Sequence, residues 1–209
     1  LDSSLTPLIE RIRQTYRDAD EFLQPAPHMT MPDLTNRVPI GPIARIGTAR
    51  RSALARCLGK TAGRRVALYS LGGVRGPSEV SLPILPDTHW IVTDPRLASR
   101  PDVTSAHRLG WPFEDVVASV DAIVGKDSYG TVVEALCAGV PLVVLCREGW
   151  PETPFLLAWA ERNGRISVAE NEQSLTNALE LVGKAPPKRS VAPTGIEEAV
   201  EKILRWSAR

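Results

Sequence analysis

The charges of this chain nearly cancel: 25 basic and 24 acidic residues over 209 positions give a formal net charge of +1. No overall field therefore favours a nucleic acid or an anionic membrane surface as a partner. No apolar stretch approaches the roughly 18–20 residues of a membrane-spanning helix, no signal-peptide pattern is present, and the cysteines lack ligand spacing. These features indicate a cytoplasmic protein with reduced thiols, no membrane span and no bound metal.

The first elements in chain order stand apart from the rest. Thr6-Pro7 is typical of a helix start, because proline fits the first helical position, and a helix with one apolar face is expected to follow. A short strand is predicted at 21–23, whereas residues 25–43 are proline-rich and lack periodicity. One helix and one short strand cannot bury a core. Residues 1–24 are therefore predicted to be the tail of a preceding domain, and 25–43 a connector.

From about residue 44, apolar runs of strand length alternate with helical segments. The predicted strands are 66–71, 89–93, 122–125, 142–145 and 165–168, and the predicted helices are 48–58, 113–119, 131–138, 154–163 and 173–182. This alternation is typical of a doubly wound parallel sheet. The sequence therefore predicts an α/β, Rossmann-like domain over 44–183, a linker over 184–193 and a final helix within 194–209.

The stretch 121–141 is the most informative part of the chain. An apolar run at 122–124 is followed by a polar loop that ends at Gly130, and a helix is predicted from Thr131 to Gly139. Such a loop lies at the carboxyl end of a strand, where open α/β sheets bind ligands. The helix start also offers unpaired backbone N–H groups to an anion.

Glu134 has two competing interpretations. Thr131 and Glu134 have the spacing of a capping box, in which the glutamate folds back onto the start of its own helix. The same carboxylate could instead accept both hydroxyls of a ribose. Spacing alone favours the cap.

Other candidate residues follow neighbouring strands. Gly72 and Gly73 come directly after the first predicted strand, where glycines allow either a close approach to a phosphate or a tight turn. Trp111 and Phe113 could form an apolar wall for a planar base, although core packing is the more frequent role of such side chains. Lys126 lies in the loop after 122–125, where ligand-binding residues are frequent, or it could be a solvated charge at the rim, which is the usual fate of lysine.

The loop that follows 142–145 carries an acidic and an aromatic group. Glu152 suits the hydroxyls of a sugar and Trp150 suits the face of a sugar ring, or Trp150 packs beneath its own loop.

Residues from about 40 to 182 resemble the nucleotide-binding, carboxyl-terminal half of GT-B glycosyltransferases. The similarity is to the family of the bacterial N-acetylglucosaminyltransferase that forms lipid II, glycosyltransferase family 28. Its specific part is 121–141 followed by 147–152. The resemblance implies that the chain binds a nucleotide diphosphate sugar, expected to be a UDP-sugar, and serves the transfer of a hexose or N-acetylhexosamine to an acceptor.

The resemblance also implies roles for individual residues. Glu134 would bind the ribose hydroxyls, which reverses the preference drawn from spacing. Glu152 would hold the donor sugar. The diphosphate would lie near Arg45, Gly72, Gly73, Gly130 and Thr131, and the base near Trp111 and Phe113. Ser128 and Tyr129 are expected in the donor site without assignment to one part of the donor. The family has Ser-Gly-Ala where this chain has Asp127-Ser128-Tyr129, so the sugar and the acceptor do not carry over.

In this family the acceptor site and the usual catalytic base belong to the amino-terminal half. Residues 1–24 are then expected to be the end of that half, and the helix within 194–209 to cross back to it. Transfer would require the amino-terminal half, on the same or another chain, and a homodimer is a further possibility. No catalytic residue is assigned, and no metal or cofactor is implied. A sugar-nucleotide epimerase or hydrolase of the same fold and a noncatalytic binding module stay open as alternatives.

Overall fold

The structure, a computed structural model, describes residues 3–59, 65–72, 82–184 and 190–208. The α-helices in these ranges are α1 (Thr6–Asp18), α2 (Arg51–Leu58), α3 (Phe113–Ser119), α4 (Tyr129–Cys137), α5 (Thr153–Asn163), α6 (Glu172–Lys184) and α7 (Gly195–Ser207). The strands are β1 (Phe22–Pro25), β2 (Arg37–Ile40), β3 (Arg65–Ser70), β4 (Thr88–Val92), β5 (Val103–Ser105), β6 (Ala122–Lys126), β7 (Leu142–Leu145) and β8 (Ile166–Ala169). Short 3-10 helices occupy Ser3–Leu5, Pro95–Leu97 and Ala106–Leu109.

The chain folds into two compact units, the described residues of Leu1–Ile43 with Pro193–Arg209 and those of Ala44–Ala192. In the first unit β1 and β2 form a parallel pair. Glu198 of α7 accepts a hydrogen bond from the backbone N–H of Gly41 (2.9 Å), next to β2. Trp206 of α7 donates to Asp20 (3.1 Å), and Lys202 lies 3.3 Å from Glu21. The last helix therefore contacts the segment that joins α1 to β1.

The second unit is built on one parallel sheet with the strand order β5-β4-β3-β6-β7-β8. The chain begins this sheet in the middle, adds β4 and β5 on one side, and then returns to add β6, β7 and β8 on the other. This reversal is the topological switch point of a doubly wound fold. The α/β, Rossmann-like fold predicted from the sequence is confirmed.

Helices cover both faces of the sheet. One face packs against α2, α3, α4 and α5 through an apolar cluster that includes Leu68, Ile91 and Leu136. The other face packs against α6 around Trp90, which is fully buried. Strands buried on both faces explain the continuous apolar runs from which they were predicted.

Two strands were missed, and one helix starts earlier than predicted. The missed strands are β2, inside the proline-rich connector, and β5, which is only three residues long. Helix α4 begins at Tyr129, two residues before the predicted start at Thr131. None of the helices in the described ranges combines the length and the apolar character that crossing a bilayer would require.

Candidate functional site

The carboxyl ends of β3 and β6 lie side by side at the switch point, with Ser70 opposite Gly125. Gly72 follows β3 with a φ of +67°, a left-handed conformation that favours glycine. A Cβ atom on Gly72 would lie 3.4 Å from Nζ of Lys126, so the ammonium group of Lys126 sits beside this turn. Gly73, the second glycine of the predicted turn, lies outside the described residues. We call Gly72, Lys126 and the start of α4 the switch-point crevice.

Lys126 is buried, with 8% of its surface exposed, and is not the solvated rim charge that was one of its two interpretations from sequence. The solvated-charge interpretation is wrong because Lys126 is the last residue of β6 and pairs across the sheet with Leu145 of β7. Within the described part of the chain, its ammonium group has neither a hydrogen bond nor an ion pair. A mostly buried lysine without an anionic partner in this part of the chain favours the binding of an anion beside its ammonium group.

The start of α4 adds backbone donors to the crevice. Ser128 precedes the helix, but its hydroxyl pairs with that of Thr131 (2.9 Å) and caps no backbone N–H. The first intrahelical bond runs from Val132 N–H to Ser128 O (3.0 Å), so the N–H groups of Gly130 and Thr131 have no acceptor within the helix. Free N–H groups and the positive end of the helix dipole suit an anion.

Two glycines set the space around this helix start. A Cβ on Gly125 would lie 2.5 Å from Cγ2 of Thr131 and 3.2 Å from Ser70 O, so α4 begins in close contact with β3 and β6. A Cβ on Gly130 would meet no atom of the described residues within 4 Å. The start of α4 is therefore closely packed against the sheet, whereas the space next to Gly130 is free of described atoms.

Glu134 does not cap its helix. It is the sixth residue of α4, more than one turn from the start, so the capping-box interpretation is wrong. The carboxylate is half-buried and has no hydrogen-bond or ion-pair partner among the described residues. Burial raises the pKa of Glu134, and the charge of Glu114 raises it further. A half-buried carboxylate that accepts no hydrogen bond from the described residues is able to accept hydrogen bonds from the hydroxyl groups of a ligand.

Tyr129, the first residue of α4, packs its ring against the apolar clusters around Leu136 and Val133. This half-buried ring helps to seat the helix. Its position supports a packing role beside the predicted role in donor binding.

The loop between β7 and α5 is anchored to the core by Asp127, the residue after β6. Asp127 is fully buried and forms an ion pair with Arg147 (2.7 Å from Oδ1 to Nε). The Arg147 guanidinium lies 3.8 Å from the centroid of the Trp150 ring. Trp150 donates its indole N–H to Glu152 (3.2 Å), which is the residue that immediately precedes α5. Sequence reasoning missed Asp127 and Arg147, which are 20 residues apart.

The remaining predicted residues lie elsewhere in the unit. Trp111 is half-buried against the core, with the Arg50 guanidinium 5.7 Å from its ring, so packing explains part of its presence. Phe113 is 41% exposed at the start of α3, and Arg45 is exposed in the segment before α2. Among the described residues, no hydrogen bond or ion pair joins these side chains to the switch-point crevice.

A cavity of about 870 Å³ opens at the opposite, amino-terminal edge of the sheet. Its charged groups are largely satisfied by the protein itself. Arg51 is paired with Asp121, Lys184 lies 3.3 Å from Glu180, and Arg65 donates to a backbone carbonyl of α6 (2.9 Å). Among the described residues, the cations of this cavity therefore have partners, whereas Lys126 in the switch-point crevice has none.

Two solved structures are similar to this chain. The glycotransferase of kitacinnamycin matches 88% of this chain at 17% identity with a TM-score of 0.52. The glycosyltransferase SnogD from Streptomyces nogalater matches 84% at 20% identity with a TM-score of 0.47. This chain covers only 58% and 52% of those two chains. No family model and no curated protein matches the sequence. At this identity the first similarity shows the fold, a Rossmann-like fold that occurs in glycosyltransferases of the GT-B type.

Proposed function

We propose that this chain is the donor-binding half of a glycosyltransferase and that it binds a nucleotide diphosphate sugar, expected to be a UDP-sugar. The observation that carries the proposal is Lys126, whose side chain is mostly buried and whose ammonium group lies beside Gly72 at the switch point of the sheet with no hydrogen-bond or ion-pair partner among the described residues. The switch point is the place where open α/β sheets bind ligands. The first similarity supports the reaction class, because the kitacinnamycin protein is a glycosyltransferase.

In this proposal the switch-point crevice takes the diphosphate. Lys126 neutralises phosphate charge, and the N–H groups at the start of α4 donate to phosphate oxygens. Both interactions strengthen as negative charge develops on the departing nucleotide, so they would stabilise the transition state of sugar transfer.

The other predicted residues take the remaining parts of the donor. Glu134 accepts the ribose hydroxyls, Glu152 accepts hydroxyls of the hexose or N-acetylhexosamine, and Trp111 with Phe113 borders the base. Arg45 approaches the diphosphate from the segment before α2.

The acceptor site and the catalytic base would belong to an amino-terminal half, on the same or another chain. Since this chain spans little more than half the length of the structures that it matches, its own activity is expected to be donor binding without efficient transfer. The specific relation to the lipid-II-forming family, the sugar and the acceptor are parts of this proposal.

Calorimetric titration with UDP, dTDP and GDP tests the proposal directly. We expect one of them to bind, and Lys126→Met to weaken that binding at least about tenfold, since one charged hydrogen bond contributes about 1.5–3 kcal/mol. Lys184→Met is the matched control, because Lys184 lies in the same unit and has its own partner in Glu180. No binding of any nucleotide at millimolar concentration, or equal affinity in both variants, would refute the proposal.

A further inference from the structure

The buried carboxylate of Asp127 holds the loop between β7 and α5 at both of its ends. It accepts hydrogen bonds from Arg147 Nε (2.7 Å), from the Arg147 backbone N–H (3.1 Å) and from the hydroxyl of Thr153. The backbone carbonyl of Asp127 also accepts from the Arg147 guanidinium. Because both carboxylate oxygens of Asp127 already accept hydrogen bonds and the residue has no exposed surface, Asp127 cannot contact a ligand itself.

Its influence reaches the surface through two further contacts. The Arg147 guanidinium, with its side chain 15% exposed, covers one face of the Trp150 ring at 3.8 Å. The Trp150 indole N–H then fixes the carboxylate of Glu152 at 3.2 Å. A guanidinium held by a buried carboxylate cannot move without breaking that pair, so the ring above it has a defined position. Trp150 remains 40% exposed and is accessible to a ligand.

We propose that Asp127 is a positioning residue that presents Trp150 and Glu152 to the sugar of the donor. This inference rests on the proposed function. The ring supplies an apolar surface for the carbon–hydrogen face of a pyranose, and the Glu152 carboxylate supplies an acceptor for its hydroxyls. The arrangement acts on the sugar and not on the diphosphate, which binds at Lys126. Asp127 therefore determines how much more tightly a nucleotide-sugar binds than the bare nucleoside diphosphate.

The test compares two ligands in one variant. Asp127→Asn keeps the size of the side chain but removes its charge, which leaves Arg147 without its ion pair. We expect the affinity for UDP-N-acetylglucosamine or UDP-glucose, whichever the wild type prefers, to fall about tenfold relative to UDP, which corresponds to about 1.4 kcal/mol. The affinity for UDP itself should stay equal or rise, because a negative charge next to Lys126 has been removed. A role in folding alone would weaken both ligands alike.

A spectroscopic readout does not depend on any ligand. The indole N–H resonance of Trp150, assigned through Trp150→Phe, should shift and broaden in Asp127→Asn because its contact with Glu152 loosens. Asp102→Asn is the control, since it removes the carboxylate of another Asp–Arg pair, with Arg100, away from this loop. It should change neither the resonance nor the ratio of affinities.

Should Asp127→Asn fold poorly, the double variant Asp127→Asn/Arg147→Gln removes both charges together and avoids an isolated buried cation. It should fold and show the same loss of preference for the nucleotide-sugar. An unchanged ratio in a folded variant, or an unchanged Trp150 resonance, would overturn the inference while UDP binding by the wild type upholds the proposed function. Absence of binding of UDP, dTDP and GDP by the wild type would overturn the proposed function, and the role toward the sugar with it.

Discussion

Gly130→Ala should make the protein more stable and a poorer ligand binder at the same time. The added methyl group meets no described atom within 4 Å, so the fold accommodates it. Alanine is favoured over glycine inside a helix by up to about 1 kcal/mol, and near a helix start the gain is smaller. For a chain of this size, about 1 kcal/mol changes the melting temperature by roughly 2–4 °C. We therefore expect a small rise in melting temperature.

The same methyl group would occupy the open space above the free N–H groups of Gly130 and Thr131. If the diphosphate approaches there, at least one charged hydrogen bond is lost, at about 1.5–3 kcal/mol. The affinity for UDP should then fall about ten- to a hundredfold.

The assay pairs a thermal melt with calorimetric titration of UDP. Gly183→Ala is the matched control, because Gly183 lies in α6 and its Cβ would make only an ordinary contact, 3.7 Å from Arg65. That variant should melt higher and bind UDP normally. Undiminished UDP affinity in Gly130→Ala would show that the phosphates do not lie over the start of α4.

Two further predictions concern a carboxylate and a glycine. Burial raises the pKa of Glu134 above its ordinary value of 4.5, so its contribution to the free energy of unfolding falls as pH rises above that value. Glu134→Gln should therefore melt at the same or a higher temperature at pH 7 while binding UDP at least about tenfold more weakly; a lower melting temperature with unchanged affinity would indicate a structural role. Gly47→Ala would place a Cβ 2.0 Å from the backbone carbonyl oxygen of Glu114 and 2.4 Å from Asp115 N, and should lower the free energy of unfolding in urea by about 1–3 kcal/mol. A change within about 0.5 kcal/mol would show that α3 yields to the methyl group.

Local sequence determined the unit β6–α4–β7 because each of its signals acts over a few residues. Continuous apolar runs indicated strands buried on both faces, and Gly139 with Pro141 indicated where the helix stops. Alternation of such units was enough to predict the doubly wound sheet. The short strands β2 and β5 were not predicted because three or four residues are too few to show a hydrophobic pattern. Strand β2 forms through its pairing with β1.

The tertiary structure decided the chemistry of the site. No local signal tells whether a lysine at a strand end is solvated. Lys126 is buried at the end of β6, which lies between β3 and β7 in a sheet whose order reverses there. The start of α4 likewise depends on how Thr131 packs against Gly125, so the capping spacing of Glu134 was misleading. Asp127 and Arg147 pair only because β6 and β7 are neighbours. A sequence states which charges a chain carries, but the energy of each charge depends on which groups the fold brings against it.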